Sequence, residues 1–193
     1  AVIETTVFNA DGTRIVTSSH DKTARVWDAE SGTSVAVLSG HEEWLTSAAF
    51  SADGQKVVTA SSDKTAKVFE AGTGELLHTL SGHDGMVASA QFTPDGKRVF
   101  TVSSDRSARL WDAETGALVA TLAGHERAIM RGVISPDGAK AASVSSDKTI
   151  RIWDTKTGAE LAVMKGVHKR LIARSAFSPD GTRLVTACHD RSA

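Results

Sequence analysis

Cysteine is nearly absent from this 193-residue chain. Cys188 is the single thiol, which excludes an internal disulfide framework and suits a reducing compartment, read here as the cytoplasm. Neither sign of charge is in excess. The 22 basic side chains meet 23 acidic ones for a formal net charge of −1, so the basic surplus of a non-specific nucleic-acid grip is missing. No apolar run approaches the ~18 residues of a transmembrane helix, and no basic-then-apolar signal segment opens the chain. Nucleic acid and membrane are therefore not expected partners. No stretch keeps a helical hydrophobic period long enough to compete with strands. What remains, with 40% hydrophobic and 23% charged residues, is ordinary globular composition and enough length for a sizeable core. The chain opens on Ala1 rather than Met, which fits a processed chain or a piece of a longer one.

A repeat dominates what is present. Asp-Gly pairs fall at Asp11-Gly12, Asp53-Gly54, Asp95-Gly96, Asp137-Gly138 and Asp180-Gly181, spaced 42, 42, 42 and 43 residues apart. An aromatic-acid pair keeps the same interval at Trp27-Asp28, Phe69-Glu70, Trp111-Asp112 and Trp153-Asp154. Gly-His pairs stand at Gly40-His41, Gly82-His83 and Gly124-His125, then return with one insertion as Gly166-Val167-His168. Residues 41–82 and 83–124 share 19 identities in 42 positions, so the units are related without being copies. Each unit reads as four short strands. In the second they are predicted at 45–50, 56–61, 65–69 and 76–80, with turn chemistry such as Ser51-Ala52-Asp53-Gly54 between them.

Units of this length, with Gly-His near the start and Trp-Asp near the end, resemble the WD-repeat family. The resemblance implies an all-β fold: a β-propeller segment of four-stranded antiparallel blades at 1–40, 41–82, 83–124 and 125–166, with an incomplete fifth at 167–193. At about 4.6 units the chain is expected to form an open arc of a longer propeller, the remaining blades coming from the same or another chain. The Ala-rich, Tyr-free repeats look like prokaryotic ones, which often follow kinase, ATPase or effector domains as scaffolds or sensors.

Each full unit also carries His, Thr or Ser, and Asp, the ingredients of a nucleophilic hydrolase. They are His41, Thr59 and Asp63; His83, Thr101 and Asp105; and His125, Ser143 and Asp147. A catalytic set should not recur at a fixed period, and no Gly-x-Ser-x-Gly turn is present. The resemblance implies a buried structural chain instead, completed by Trp111 and Trp153, with Phe69 breaking the pattern in the second unit. No catalytic residue is expected. Gly72-Thr73-Gly74 lacks the third Gly of a dinucleotide loop and reads as a hairpin turn, so no cofactor is expected. The His residues fall in no metal-ligand spacing, so no metal is expected. Cys188 occupies the position of Ser103 and Ser145. Lys22, Arg25, Lys64, Lys67, Arg106, Arg109, Lys148 and Arg151 recur around the third strands and read as a solvated outer rim.

Partner binding is sought where the repeats disagree. The loop after each Gly-His varies most: Glu42-Glu43-Trp44, Asp84-Gly85-Met86, Glu126-Arg127-Ala128 and Lys169-Arg170-Leu171. The resemblance places it on the ligand-binding face beside the central channel. Val2, Trp44, Met86, Ala128 and Leu171 form an apolar arc there, with Trp44 the strongest anchor. Three positions on lie Thr5, Ser47, Ser89, Arg131 and Arg174, so Arg131 and Arg174 oppose Glu42 and Glu43 and split the face electrically. The expected function is a non-catalytic interaction scaffold or sensor module for a protein or peptide partner. The alternatives are a ligand-sensing propeller that gates an enzyme domain elsewhere in a longer chain and, third, an autonomous hydrolase.

Overall fold

The computed structural model describes residues 1–166, 170 and 172–188. Among the described residues every regular element is a strand, and these form five antiparallel sheets in chain order. The first holds β1 (Ile3–Phe8), β2 (Arg14–Ser19), β3 (Ala24–Asp28) and β4 (Ser34–Leu38). The second holds β5 (Leu45–Phe50), β6 (Lys56–Ser61), β7 (Ala66–Glu70) and β8 (Leu76–Leu80). In the third are β9 (Val87–Phe92), β10 (Arg98–Ser103), β11 (Ala108–Asp112) and β12 (Leu118–Leu122). The fourth comprises β13 (Ile129–Ile134), β14 (Lys140–Ser145), β15 (Ile150–Asp154) and β16 (Glu160–Met164). Two strands, β17 (Ile172–Phe177) and β18 (Leu184–Cys188), pair in the fifth. This is the all-β arrangement of four-stranded propeller blades that the family resemblance implies.

Turn chemistry sets the strand ends. After β5, the Asp53 carboxylate accepts from the Gln55 N–H at 3.0 Å, and Gly54 takes φ 68° in the left-handed region. A second, less expected turn joins the second and third strands. Lys22, Lys64, Arg106 and Lys148 occupy it with φ between 69° and 75°, a conformation that costs a non-glycine residue roughly 1 kcal/mol or more. The preceding Asp offsets that cost: Asp63 Oδ1 accepts from the Thr65 N–H at 2.9 Å and from its hydroxyl at 2.6 Å.

The apolar core lies between sheets, not within them. Val16, Val26 and Leu38 of the first sheet pack against Leu45, Val57 and Phe69 of the second. Val58, Val68 and Leu80 then meet Val87, Val99 and Trp111. Phe100, Leu110 and Leu122 meet Ile129, Ala141 and Trp153, and Ala142, Ile150 and Ile152 meet Ile172, Phe177 and Leu184. Each sheet thus spends one face on each neighbour. Where this pattern finds no described neighbour, apolar side chains lie open: Phe8 is 59% exposed and Val185 58%.

The innermost strand of every sheet carries a β-bulge at its second residue. The pairing jumps from Ile3 to Thr5, Leu45 to Ser47, Val87 to Ser89, Ile129 to Arg131, and Ile172 to Arg174. Bulges re-aim side chains, and here residues of all five innermost strands line one cavity.

Candidate functional site

The His-hydroxyl-Asp sets come together as hydrogen-bonded chains. In the third sheet, Trp111 Nε1 donates to Thr101 Oγ1 at 2.9 Å, Thr101 Oγ1 lies 2.9 Å from His83 Nε2, and His83 Nδ1 lies 2.7 Å from Asp105 Oδ2. The fourth repeats this through Trp153, Ser143, His125 and Asp147, with distances of 2.8, 2.8 and 2.9 Å. One polarity satisfies every atom: indole to hydroxyl, hydroxyl to Nε2, and Nδ1–H to carboxylate. In the second sheet His41 bonds Thr59 at 2.8 Å and Asp63 at 2.7 Å. Phe69 is fully buried there and donates nothing.

Each Asp is saturated. Oδ1 of Asp105 closes the turn at Ser107, while Oδ2 takes His83 and, at 3.0 Å, the Asp84 N–H of the variable loop. Burial pushes this carboxyl upward, but bonds from Ser107 and His83 outweigh it and hold Asp105 at about 2. The same balance lowers Asp63 and Asp147. For His41, His83 and His125, loss of water lowers the pKa more than the partner Asp raises it. The imidazoles are neutral and their Nε2 atoms already engaged.

Thr59, Thr101 and Ser143 have no accessible surface, so no substrate carbonyl reaches their oxygens. Ser143 is expected to stay unmodified by a serine-directed fluorophosphonate, read by intact mass, while His125→Ala lowers stability by about 1–3 kcal/mol, read by urea melts. A covalent adduct on Ser143 would overturn this assignment.

The variable loops hang on these chains and on the residue ending each second strand. Ser61 Oγ donates to the Trp44 carbonyl at 2.9 Å, Ser103 Oγ to that of Gly85 at 3.0 Å, and Ser145 Oγ to that of Ala128 at 3.0 Å. Cys188 Sγ takes the same place, 3.3 Å from the Arg170 carbonyl. The anchored loops present Trp44, 45% exposed, with its ring edge-on to His20 at a centroid distance of 4.6 Å. Trp44 and Met86 border a cavity of about 630 Å³, whose far side carries Met130, Arg131 and Arg174.

Several sequence expectations sit elsewhere. Glu42 and Glu43 are exposed but do not line this cavity, where the acidic residue is Glu4. Ala128 is also absent from the lining, and Met130, brought round by the bulge, stands in its place at 48% exposure. Leu171, Lys169 and His168 lie outside the described residues. The solvated basic rim holds for Lys22, Lys64, Arg106 and Lys148, which are exposed in the left-handed turns, but not for Lys67, which is buried and donates to Thr79 Oγ1 at 3.0 Å. The Arg109 guanidinium lies 5.9 Å from the Trp111 ring centroid, where cation–π attraction and stem packing favour it over water. It crosses directly over Gly82, where a Cβ would collide with it, and Arg151 crosses Gly124 likewise. The Arg stems and a positive φ favour Gly before His83 and His125, whereas Gly40, before His41, faces open space and has only its φ of 119° as a reason. Glu4 and Met130 escaped sequence reasoning because their only signal is the bulge register, whereas His20 stands in the turn after β2 where the next three units have Ser62, Ser104 and Ser146.

Among the described residues no group of three or more His, Cys, Asp or Glu is placed to hold a metal ion, and no helix is long and apolar enough to cross a membrane. Similarity to known proteins follows the repeat. The WD domain, G-beta repeat matches residues 2–28, 32–70, 74–112, 116–154 and 162–193. A coronin-like protein, crn1 of Schizosaccharomyces pombe, is 59% identical over 34 residues, which are 18% of this chain and 6% of that protein. That stretch is shorter than one 42-residue period and speaks for a single repeat. The matches to all five units, with the Trp, Thr or Ser, His and Asp of the third and fourth sheets each forming one bonded chain, make this chain a member of the WD domain, G-beta repeat family.

Proposed function

We propose that this chain is a non-catalytic interaction platform that receives a protein or peptide at the cavity between its innermost strands. One observation carries the reading: Trp44 is held half-exposed at the cavity mouth by a loop whose backbone is fixed, with Met86 and Met130 on the same lining. A rigid, exposed aromatic beside flexible thioethers is the composition of an interface anchor, not of a core. The repeated His-hydroxyl-Asp chains support a non-catalytic reading, since their donors and acceptors are matched to one another. On the same reading the chain works in the cytoplasm, and the open apolar faces carrying Phe8 and Val185 pack against further blades.

The test is selection of peptides from a displayed random library on the immobilised chain. Trp44→Ala is expected to weaken the selected binders by more than about 1 kcal/mol while leaving the thermal melt nearly unchanged. Binders that retain full affinity for Trp44→Ala would place the contact elsewhere and overturn the proposal.

A further inference from the structure

Position by position, the innermost strands carry Thr5, Ser47, Ser89, Arg131 and Arg174 just after the bulge. In the first two sheets this residue stitches neighbours together. Thr5 Oγ1 accepts from the Ala48 N–H at 3.3 Å, and Ser47 Oγ from the Ala90 N–H at 3.2 Å. A guanidinium cannot accept, so Arg131 and Arg174 are excluded from that role. Both are exposed, both line the central cavity, and neither makes a hydrogen bond or ion pair among the described residues. The two charges also feel each other: Arg131 is shifted downward first by lost hydration and then by Arg174, partly offset by Glu4. Glu4 itself approaches His20, 3.3 Å away. Two like charges share one cavity wall, and Glu4, the acidic residue of that lining, pairs with His20 and with neither Arg, which leaves the arrangement incomplete.

We infer that Arg131 and Arg174 receive a carboxylate side chain of an acidic peptide whose neighbouring apolar residue packs against Trp44 and Met86. The inference rests on the platform reading above and names its partner's chemistry. Guanidinium forks fit a carboxylate in two parallel hydrogen bonds. Charge selects the carboxylate over its rivals. With Arg131, Arg174 and Glu4 on the lining, the cavity holds a single net positive charge, which matches one carboxylate and falls short of a dianionic phosphate or a nucleic-acid backbone. Its volume of about 630 Å³ lies within the range that encloses a small ligand or a few side chains.

The experiment applies pooled acetylated, amidated octapeptides to the full chain. One pool has Glu fixed at the centre, the second Gln and the third phosphoserine, with the other positions random; a labelled oligothymidylate is titrated alongside. The Glu pool is expected to be retained about ten-fold more than the Gln pool, with R131Q or R174Q erasing that preference and the surface control E43Q preserving it. Equal retention of the Glu and Gln pools would overturn this inference and leave the platform standing. Retention of no pool would overturn both. Preference for phosphoserine or oligothymidylate would overturn the carboxylate assignment. The comparison of pools on the unaltered chain decides the matter even should an Arg variant fold poorly.

Discussion

Replacing Phe100 by alanine is expected to lower stability by about 3–5 kcal/mol, among the largest losses available to a single substitution. The ring is 1% exposed and belongs to the core shared by the third and fourth sheets, against Ile129, Ala141 and Trp153. It cannot be compensated by collapse from one side, because both walls are backbone-paired strands. Gly132 gives the prediction a second handle. A Cβ there would lie 2.7 Å from Phe100 Cε1 and 2.8 Å from Val102 Cγ1, so Gly132→Ala should be destabilising alone. In the Phe100→Ala background the ring clash is gone and the same change should cost less. Urea melts of the two singles and the double close the cycle. Strict additivity would show that the two sheets do not share this core.

The chain is also expected to lose stability steeply on mild acidification. His41, His83 and His125 lie below their ordinary value of 6.5, burial being the main cause. Unfolded imidazoles therefore take up protons first as pH drops under 6.5, and the unfolded state gains. Stability from these groups is complete above 6.5 and is lost as pH falls toward their folded values. Each contributes at most about 1.4 kcal/mol per pH unit. A second loss follows below 3.8, where Asp63, Asp105 and Asp147 lie under their ordinary value, Asp105 at about 2. Urea midpoints between pH 8 and pH 5 provide the check. A flat profile would mean that the imidazoles are not kept neutral, and each His→Asn variant should reduce the slope by about one proton.

The propeller repeat and the bonded chains were legible in the sequence for a physical reason. Both depend on residues at fixed offsets within one unit, such as His83, Thr101, Asp105 and Trp111, so a period of 42 displays those residues, and the resemblance they carry implies the blade and the bonds. The cavity was half legible. Trp44 and Met86 stand in a loop whose variability marks it, whereas Met130 and Glu4 reach the cavity through a bulge that strand alternation does not announce. Arg109 reads as surface because charge suggests water, and only the tertiary contact with Trp111 over Gly82 shows otherwise. Which valine packs against which neighbour was not legible at all: Val57 and Val58 are adjacent and equally buried, yet serve different cores.

That division between Val57 and Val58 changes what counts as a module. A sheet cut out and placed among foreign neighbours would carry two half-interfaces, each shaped for a side chain it no longer meets. A segment running from the β6–β7 face with Val58 and Val68 through the β9–β10 face with Val87 and Val99 would carry one complete interface. Gene duplication can copy whole periods at any phase, but recombination between diverged repeats should preserve folding best when its junctions fall inside a sheet. The unit that travels intact is the seam between blades.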